Sequence, residues 1–148
     1  MDTSKQYSIF IEDEEILIPE WILDYSTTMK EICSDGDNTP IPITNVKKDT
    51  WDKIIEFYDM YEHCKDISEN IKIEIDKFIS AIDKDMLNIL LVSTDYLGMN
   101  ILHNICCEKF ADMYIKGMSV EDMRRNFNVE DNMSEEEKKE LFEKYLSI

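Results

Sequence analysis

Glycine is scarce in this 148-residue chain, occurring only as Gly36, Gly98 and Gly117. Three isolated glycines build neither of the common phosphate-cradling loops, so nucleotide binding through such a motif is excluded. Positive charge is short as well: 16 lysines and arginines face 33 aspartates and glutamates, a formal charge of -17 at pH 7. The basic doublets Lys47-Lys48, Arg124-Arg125 and Lys138-Lys139 sit among acids. A nucleic-acid backbone or an anionic membrane surface would be repelled. Long apolar runs are missing too. The longest aliphatic run, Ile89 to Val92, is far below the ~20 residues of a bilayer-spanning helix. Residues Met1 to Gln6 lack the basic start and apolar stretch of a secretory signal, so Cys33, Cys64, Cys106 and Cys107 are expected to be reduced thiols in the cytoplasm or nucleus. Their spacing fits neither a disulfide framework nor paired metal knuckles.

What remains is a globular composition, with 43% hydrophobic, 10% aromatic and 33% charged residues. A chain of this length hides about 70% of the surface that its unfolded form exposes, which is enough for a real core. From Tyr7 to Ile18 the residues alternate, with Ile9 and Ile11 on one face, a turn at Asp13-Glu14, and Ile16 and Ile18 returning, which predicts a β-hairpin. Pro19 stops it. Met29, Ile32 and Cys33 then recur at helical spacing behind Ser26 to Thr28, which can cap a short helix. Ser34 to Thr39 are all turn formers and read as a mobile loop. The alternating prolines of Pro40-Ile41-Pro42-Ile43 permit only an edge strand or an extended docking segment, because neither proline can donate to a ladder.

Asp49 is placed to cap a helix whose stripe is Trp51, Ile54, Ile55, Tyr58 and Tyr61, expected to pack under the hairpin. Residues 65–72 are polar and mark the best internal boundary, and Ile73, Ile75, Phe78 and Ile79 form a further short element whose class the pattern leaves open. Beyond Asp83 a helical period runs through Leu87, Leu90, Leu91, Thr94 and Leu97 until Gly98 ends it. Leu102, Ile105, Cys106, Phe110 and Met113 begin another helix, closed by Gly117. Ser119 opens the next with Asp122 at the capping-box position and Met118 and Met123 placed as a hydrophobic staple. The last helix starts at Ser134, with Glu137 completing its box and Glu135–Lys139 and Glu140–Lys144 as i,i+4 pairs.

Three stretches carry a resemblance. Residues 115–129, Ile-Lys-Gly-Met-Ser-Val-Glu-Asp-Met-Arg-Arg-Asn-Phe-Asn-Val, are similar to the Ile-Lys-Gly-Lys-Thr-Pro-Glu-Glu-Ile-Arg-Lys-Thr-Phe-Asn-Ile of the S-phase-kinase-associated adaptors of SCF ubiquitin ligases. Residues 94–99, Thr-Asp-Tyr-Leu-Gly-Met, resemble that family's Ala-Asn-Tyr-Leu-Asp-Ile, and residues 40–46, Pro-Ile-Pro-Ile-Thr-Asn-Val, its Pro-Val-Pro-Leu-Pro-Asn-Val. The resemblance implies an α+β BTB/POZ-like fold, a small sheet with surrounding helices followed by C-terminal helices. Residues 1–65 would be the N-terminal part of that domain, 66–116 the linker and remaining BTB helices, and 117–148 an F-box-binding helical extension.

By the same resemblance, the function implied is a non-catalytic adaptor bridging F-box proteins to a cullin scaffold in ubiquitin-dependent degradation. Pro40, Ile41, Pro42, Asn45, Asp95 and Tyr96 fall where the family meets cullin. Leu87, Asn88, Leu91, Leu102, Cys107, Phe110, Met123, Phe127, Val129, Leu141, Phe142 and Tyr145 fall where it receives the F-box, a mostly apolar set suited to helix-in-groove recognition. The sequence departs from the family at Asn88, commonly phenylalanine, at Tyr114, an apparent insertion, in a shortened linker after Lys65, and in ending without the family's tryptophan-cysteine tail. The alternative is a BTB-type module that self-associates or sequesters F-box proteins without recruiting cullin.

Chemistry is thinly represented. His103, Cys106 and Cys107 point roughly one way on a helix, but three local donors fall short of a zinc tetrahedron, and buried cysteine is usually a small hydrophobe. A Cys-His catalytic pair lacks a recognisable orienting residue and oxyanion donor. Neither a cofactor nor a metal is expected.

Overall fold

The computed structural model describes residues 6–34, 39–130, 132 and 134–146. Residues 35–38 of the expected mobile loop lie outside the described residues. The chain divides into two compact units, Met1–Phe110 and Ala111–Ile148.

The first unit opens with the hairpin. Strand β1 (Tyr7–Ile11) pairs antiparallel with β2 (Glu14–Ile18), Ile9 facing Ile16. Its turn is Glu12-Asp13, one residue earlier than the sequence suggested. Both residues have positive φ, 49° and 65°, as a two-residue turn matched to strand twist requires. This register buries Ile9, Ile11 and Ile18 together. β3 (Ile41–Pro42) lies parallel to β1 at the sheet edge, in the order β2-β1-β3. The edge position is the one its prolines allow, and Ile43 N–H donates to the Phe10 carbonyl at 2.9 Å.

After Pro19 the chain makes a 3₁₀ turn over Glu20–Tyr25 that the apolar pattern did not reveal, burying Ile22 and Leu23. Helix α1 (Thr27–Cys33) is capped by the Ser26 hydroxyl, which accepts from Met29 N–H at 3.1 Å. Met29 is buried, whereas Ile32 is exposed. α2 (Lys48–Cys64) begins one residue before Asp49, whose carboxylate sits inside the first turn and accepts from Thr50 N–H at 2.8 Å. Its buried stripe is Thr50, Trp51, Ile54, Phe57 and Tyr58. Ile55 and Tyr61 are only half-buried.

α2 runs beside the helices α3 (Ser68–Ser80) and α4 (Lys84–Leu97). The element of open class is thus a helix, and it starts within the polar stretch. Phe78 brings it against α2, its ring 5.2 Å from Phe57. Phe57 also meets Tyr58 edge-on at 5.1 Å, and Tyr25 packs on Tyr58 at 4.9 Å. α5 (Asn100–Tyr114) is tied to this core by a buried polar contact, the Leu102 N–H donating to the Tyr58 hydroxyl at 3.2 Å. That bond satisfies one of the donors a helix start leaves open.

The second unit contains α6 (Val120–Phe127) and α7 (Glu135–Leu146). Ser119 caps α6, accepting from Asp122 N–H at 3.1 Å, while the Asp122 carboxylate pairs with Arg125. Asn128, at φ 53°, closes it with its own and the Val129 N–H returning to Arg125 and Arg124 carbonyls. Ser134 and Glu137 exchange both bonds of a capping box at 3.1 Å. Glu135 pairs with Lys138, an i,i+3 partner in place of the expected Lys139.

Candidate protein-docking surfaces

The end of α4 is held by three consecutive hydroxyl residues. Ser26 Oγ donates to the Leu97 carbonyl at 2.6 Å, Thr28 Oγ1 to the Tyr96 carbonyl at 3.0 Å, and Thr27 N–H to the Gly98 carbonyl at 3.3 Å. Carbonyls that a helix C-terminus leaves without intrahelical partners are thereby satisfied by α1. Gly98, at φ +64°, makes the close approach possible, since a Cβ there would meet Thr27 Oγ1 at 2.0 Å. The Gly98 and Met99 N–H groups return to the Asp95 and Thr94 carbonyls, closing the helix. The backbone at the end of α4 is thus tied to α1, while Asp95 and Tyr96 both face solvent. Ser26 to Thr28 read in sequence as a cap alone, and nothing local signals their second task.

Of the other residues assigned by resemblance to the cullin side, Pro42 and Asn45 are exposed and Pro40 half-buried. Pro42 and Asn45 line an open groove of about 700 Å³ with Phe10, Thr44 and Lys47. Ile41 differs. It is a core residue facing Ile9 across the sheet, so its side chain shapes this edge from beneath and cannot touch a partner.

The F-box candidates of the first unit divide similarly. Leu87 and Leu102 are core residues. Leu87 shares the buried stripe of α4 with Leu90 and Leu97, and Leu102 is buried with Cys106 on α5, so both support a surface and do not form it. Asn88 and Cys107 are exposed, and Leu91 and Phe110 are half-buried. α4 also exposes Ile89 and Val92, the latter 70% accessible. With Tyr96 they follow an i, i+3, i+7 spacing that is masked in the sequence because the buried stripe dominates the same helix.

In the second unit Phe127, Val129, Leu141 and Phe142 are exposed, Phe142 at 67%, and Met123 is half-buried. Tyr145 falls within α7, with its side chain outside the described residues. α6 has no buried residue. The Phe127 ring lies 6.0 Å from that of Tyr114, which gives the apparent insertion a packing role.

The candidate metal cluster is dispersed by burial. Cys106 is fully buried, its thiol pushed up to about 12 by desolvation and by Cys107 beside it, whereas Cys107 is exposed. Among the described residues no group of three or more His, Cys, Asp or Glu side chains is arranged to hold a metal, and no helix is long and apolar enough to cross a membrane.

Comparison with known proteins points one way. The model of the Skp1 family, dimerisation domain, matches residues 101–146. The chain is 30% identical over 151 aligned positions to suppressor of kinetochore protein 1 of Schizosaccharomyces pombe, covering 93% of each protein. It is 30% identical to the E3 ubiquitin ligase complex SCF subunit sconC of Arthroderma benhamiae, over 86% of this chain and 84% of that one. The S-phase kinase-associated protein 1 homolog of Tetrahymena thermophila is 26% identical, over 95% and 92%.

Proposed function

The chain belongs to the Skp1 family, and from that premise we propose that it is a non-catalytic adaptor of an SCF-type E3 ubiquitin ligase, joining F-box proteins to a cullin in the cytoplasm and nucleus. The observation that carries this reading is the uncovered apolar surface of α6 and α7. Helices of 8 and 12 residues are marginal in water by themselves. Here they expose Phe127, Val129, Leu141 and Phe142, so an apolar partner face supplies the missing burial. Met123, Asn88, Leu91, Cys107 and Phe110 are the further contacts proposed for the F-box, with Leu87 and Leu102 backing them.

The opposite task falls to Asp95 and Tyr96, with Pro40, Pro42 and Asn45 as additional contacts for cullin. The hydroxyl clamp on α4 favours this assignment, because the backbone that carries both residues is held before binding and loses little freedom when a partner arrives. Catalysis is left to other subunits.

The test is purification of the tagged chain from its own cells, with mass spectrometry of what stays bound. Recovery of a cullin together with F-box proteins is the expected result. A double change, Asp95→Lys with Tyr96→Ala, is expected to release the cullin while F-box proteins remain. F-box proteins without cullin from the unaltered chain would make it a sequestering protein, and recovery of neither would overturn the proposal.

A further inference from the structure

Cys107, already proposed as an F-box contact, forms with His103 a pair whose chemistry that docking role does not use. His103 lies one turn before Cys107 on α5, and its Nε2 is 3.5 Å from the Cys107 Sγ. The other ring nitrogen is fixed by α4, with Nδ1 3.1 Å from the Leu91 carbonyl and 3.0 Å from Thr94 Oγ1. A carbonyl only accepts, and Thr94 already donates its proton to the Leu90 carbonyl at 2.6 Å. Nδ1 therefore carries the hydrogen, which leaves the lone pair of Nε2 directed at the thiol. The orienting group that the sequence did not reveal is a backbone carbonyl of the neighbouring helix.

The four cysteines are sorted by their surroundings. Burial raises the thiols of Cys33 and Cys106, and Cys64 is half-buried. Cys107 is the exposed one. Since the thiolate is the attacking species in disulfide exchange, access combined with a proton acceptor selects this sulfur.

We propose that Cys107 is a thiol–disulfide exchange site for small uncharged or cationic disulfides, with His103 Nε2 accepting its proton. The Cys107 sulfur attacks one sulfur of the disulfide, the reagent's S–S bond breaks, and the displaced sulfur leaves as a thiolate that takes the proton from His103. Cys107 is oxidised to a mixed disulfide and half of the reagent is reduced, so no other oxidant enters. Cys106 does not resolve the adduct, because its side chain is turned about 100° around the helix and is buried. Glu108 beside the site and the net charge of -17 disfavour anionic disulfides.

The experiment treats the full chain with cystamine, a cationic disulfide, quenches with an alkylating agent, and maps each cysteine by peptide mass. Because it is read on the free chain, its outcome does not depend on F-box docking. Cys107 is expected to react first, about tenfold faster than Cys64. His103→Asn keeps an amide donor where Nδ1 stands and removes Nε2. It is expected to slow Cys107 by about tenfold, below the range of a shielded general base because solvent shares the proton at an exposed site. Cys64 should keep its rate, which reports that the fold is intact. Should the variant unfold, urea treatment of the unaltered chain replaces it, and the fast Cys107 phase must then fall to the rate common to all four thiols. Equal rates at Cys107 and Cys64, an unchanged rate in folded His103→Asn, or a fast phase that survives urea would overturn the proposal.

Discussion

Residues 1–110 and 111–148 hold themselves together by different means. Every buried hydrophobic side chain among the described residues, from Ile9 to Cys106, lies in the first unit. There the sheet edge, α2 and α4 share one interior, and aromatic rings of Tyr25, Phe57, Tyr58 and Phe78 join the elements around it. The second unit is built from local terms: capped helix starts, acids in the first turns, and an Asn128 closure. Such terms contribute about 1 kcal/mol each and define helices without covering them. A unit specified locally yet left apolar outside is suited to complete its burial on another chain. That contrast is why the proposed docking falls to the second unit.

The sharpest break of this comparison is a pair of truncations. Leu90→Ala empties a site with no solvent access in α4, and the expected loss is about 2–5 kcal/mol of unfolding free energy. Phe142→Ala removes a larger ring, but one that is 67% accessible, and should change stability by no more than about 0.5 kcal/mol. Urea midpoints of the isolated chain measure both. Equal losses would mean that α7 is covered within the chain, and the docking assignment would fail with that result. Capture of F-box proteins should follow the reverse order, lost with Phe142→Ala and retained in Leu90→Ala wherever the protein is folded.

A smaller effect tests how the first unit mounts its exposed residues. Gly98→Ala combines a left-handed backbone, costing about 1–2 kcal/mol for a residue with a Cβ, with the 2.0 Å collision at Thr27 Oγ1. Adding Thr27→Ala removes the colliding atom but leaves φ at +64°, so the double variant should recover only the steric part. Full recovery would show that conformation contributes nothing, and no recovery that the clamp does not approach as closely as described. Thermal midpoints of the four proteins in the cycle decide between these outcomes.

Gly98 also shows what was legible in the sequence. Its helix-closing role followed from the apolar period ending at Leu97, because period and punctuation are local signals. The capping serines at positions 26, 119 and 134 were readable for the same reason. Contacts between distant segments were not. Nothing near Thr28 announces the Tyr96 carbonyl, and nothing near His103 announces Leu91. α3 was obscured by its polar start, since a helix beginning Ser-Glu-Asn looks like a linker until tertiary packing of Phe78 fixes it. Leu87 and Leu102 show the reverse case: their apolar helical periods mark faces that the fold buries, and only the resemblance assigns them to a docking surface.

Ser119→Ala should have a local effect of about 1 kcal/mol, confined to α6, because the lost acceptor serves Asp122 N–H alone. Amide exchange is the measurement that resolves it. Faster exchange over residues 120–127 with unchanged protection in α4 would sharpen the contrast between the units. Equal acceleration in α4 would mean that α6 is part of the cooperative core, contrary to the absence of any buried residue in it.

The smallest effect at neutral pH is also the most specific to the first unit. Burial pushes the Tyr25 and Tyr58 hydroxyls from 10.0 up to about 12, and Tyr25 in addition donates to Glu62. Raised folded-state values mean that the native chain retains protons that the unfolded chain releases above pH 10. Their contribution is fully present below that pH and is lost as pH rises from 10 through 12. In spectrophotometric titration Tyr25→Phe should remove one late-titrating tyrosine from the curve of the unaltered chain, and stability should decline less steeply in that variant between pH 10 and 12. Identical slopes would separate Tyr25 from the core and place the alkaline sensitivity on Tyr58, whose hydroxyl must remain an acceptor for the Leu102 N–H if α5 is to stay anchored.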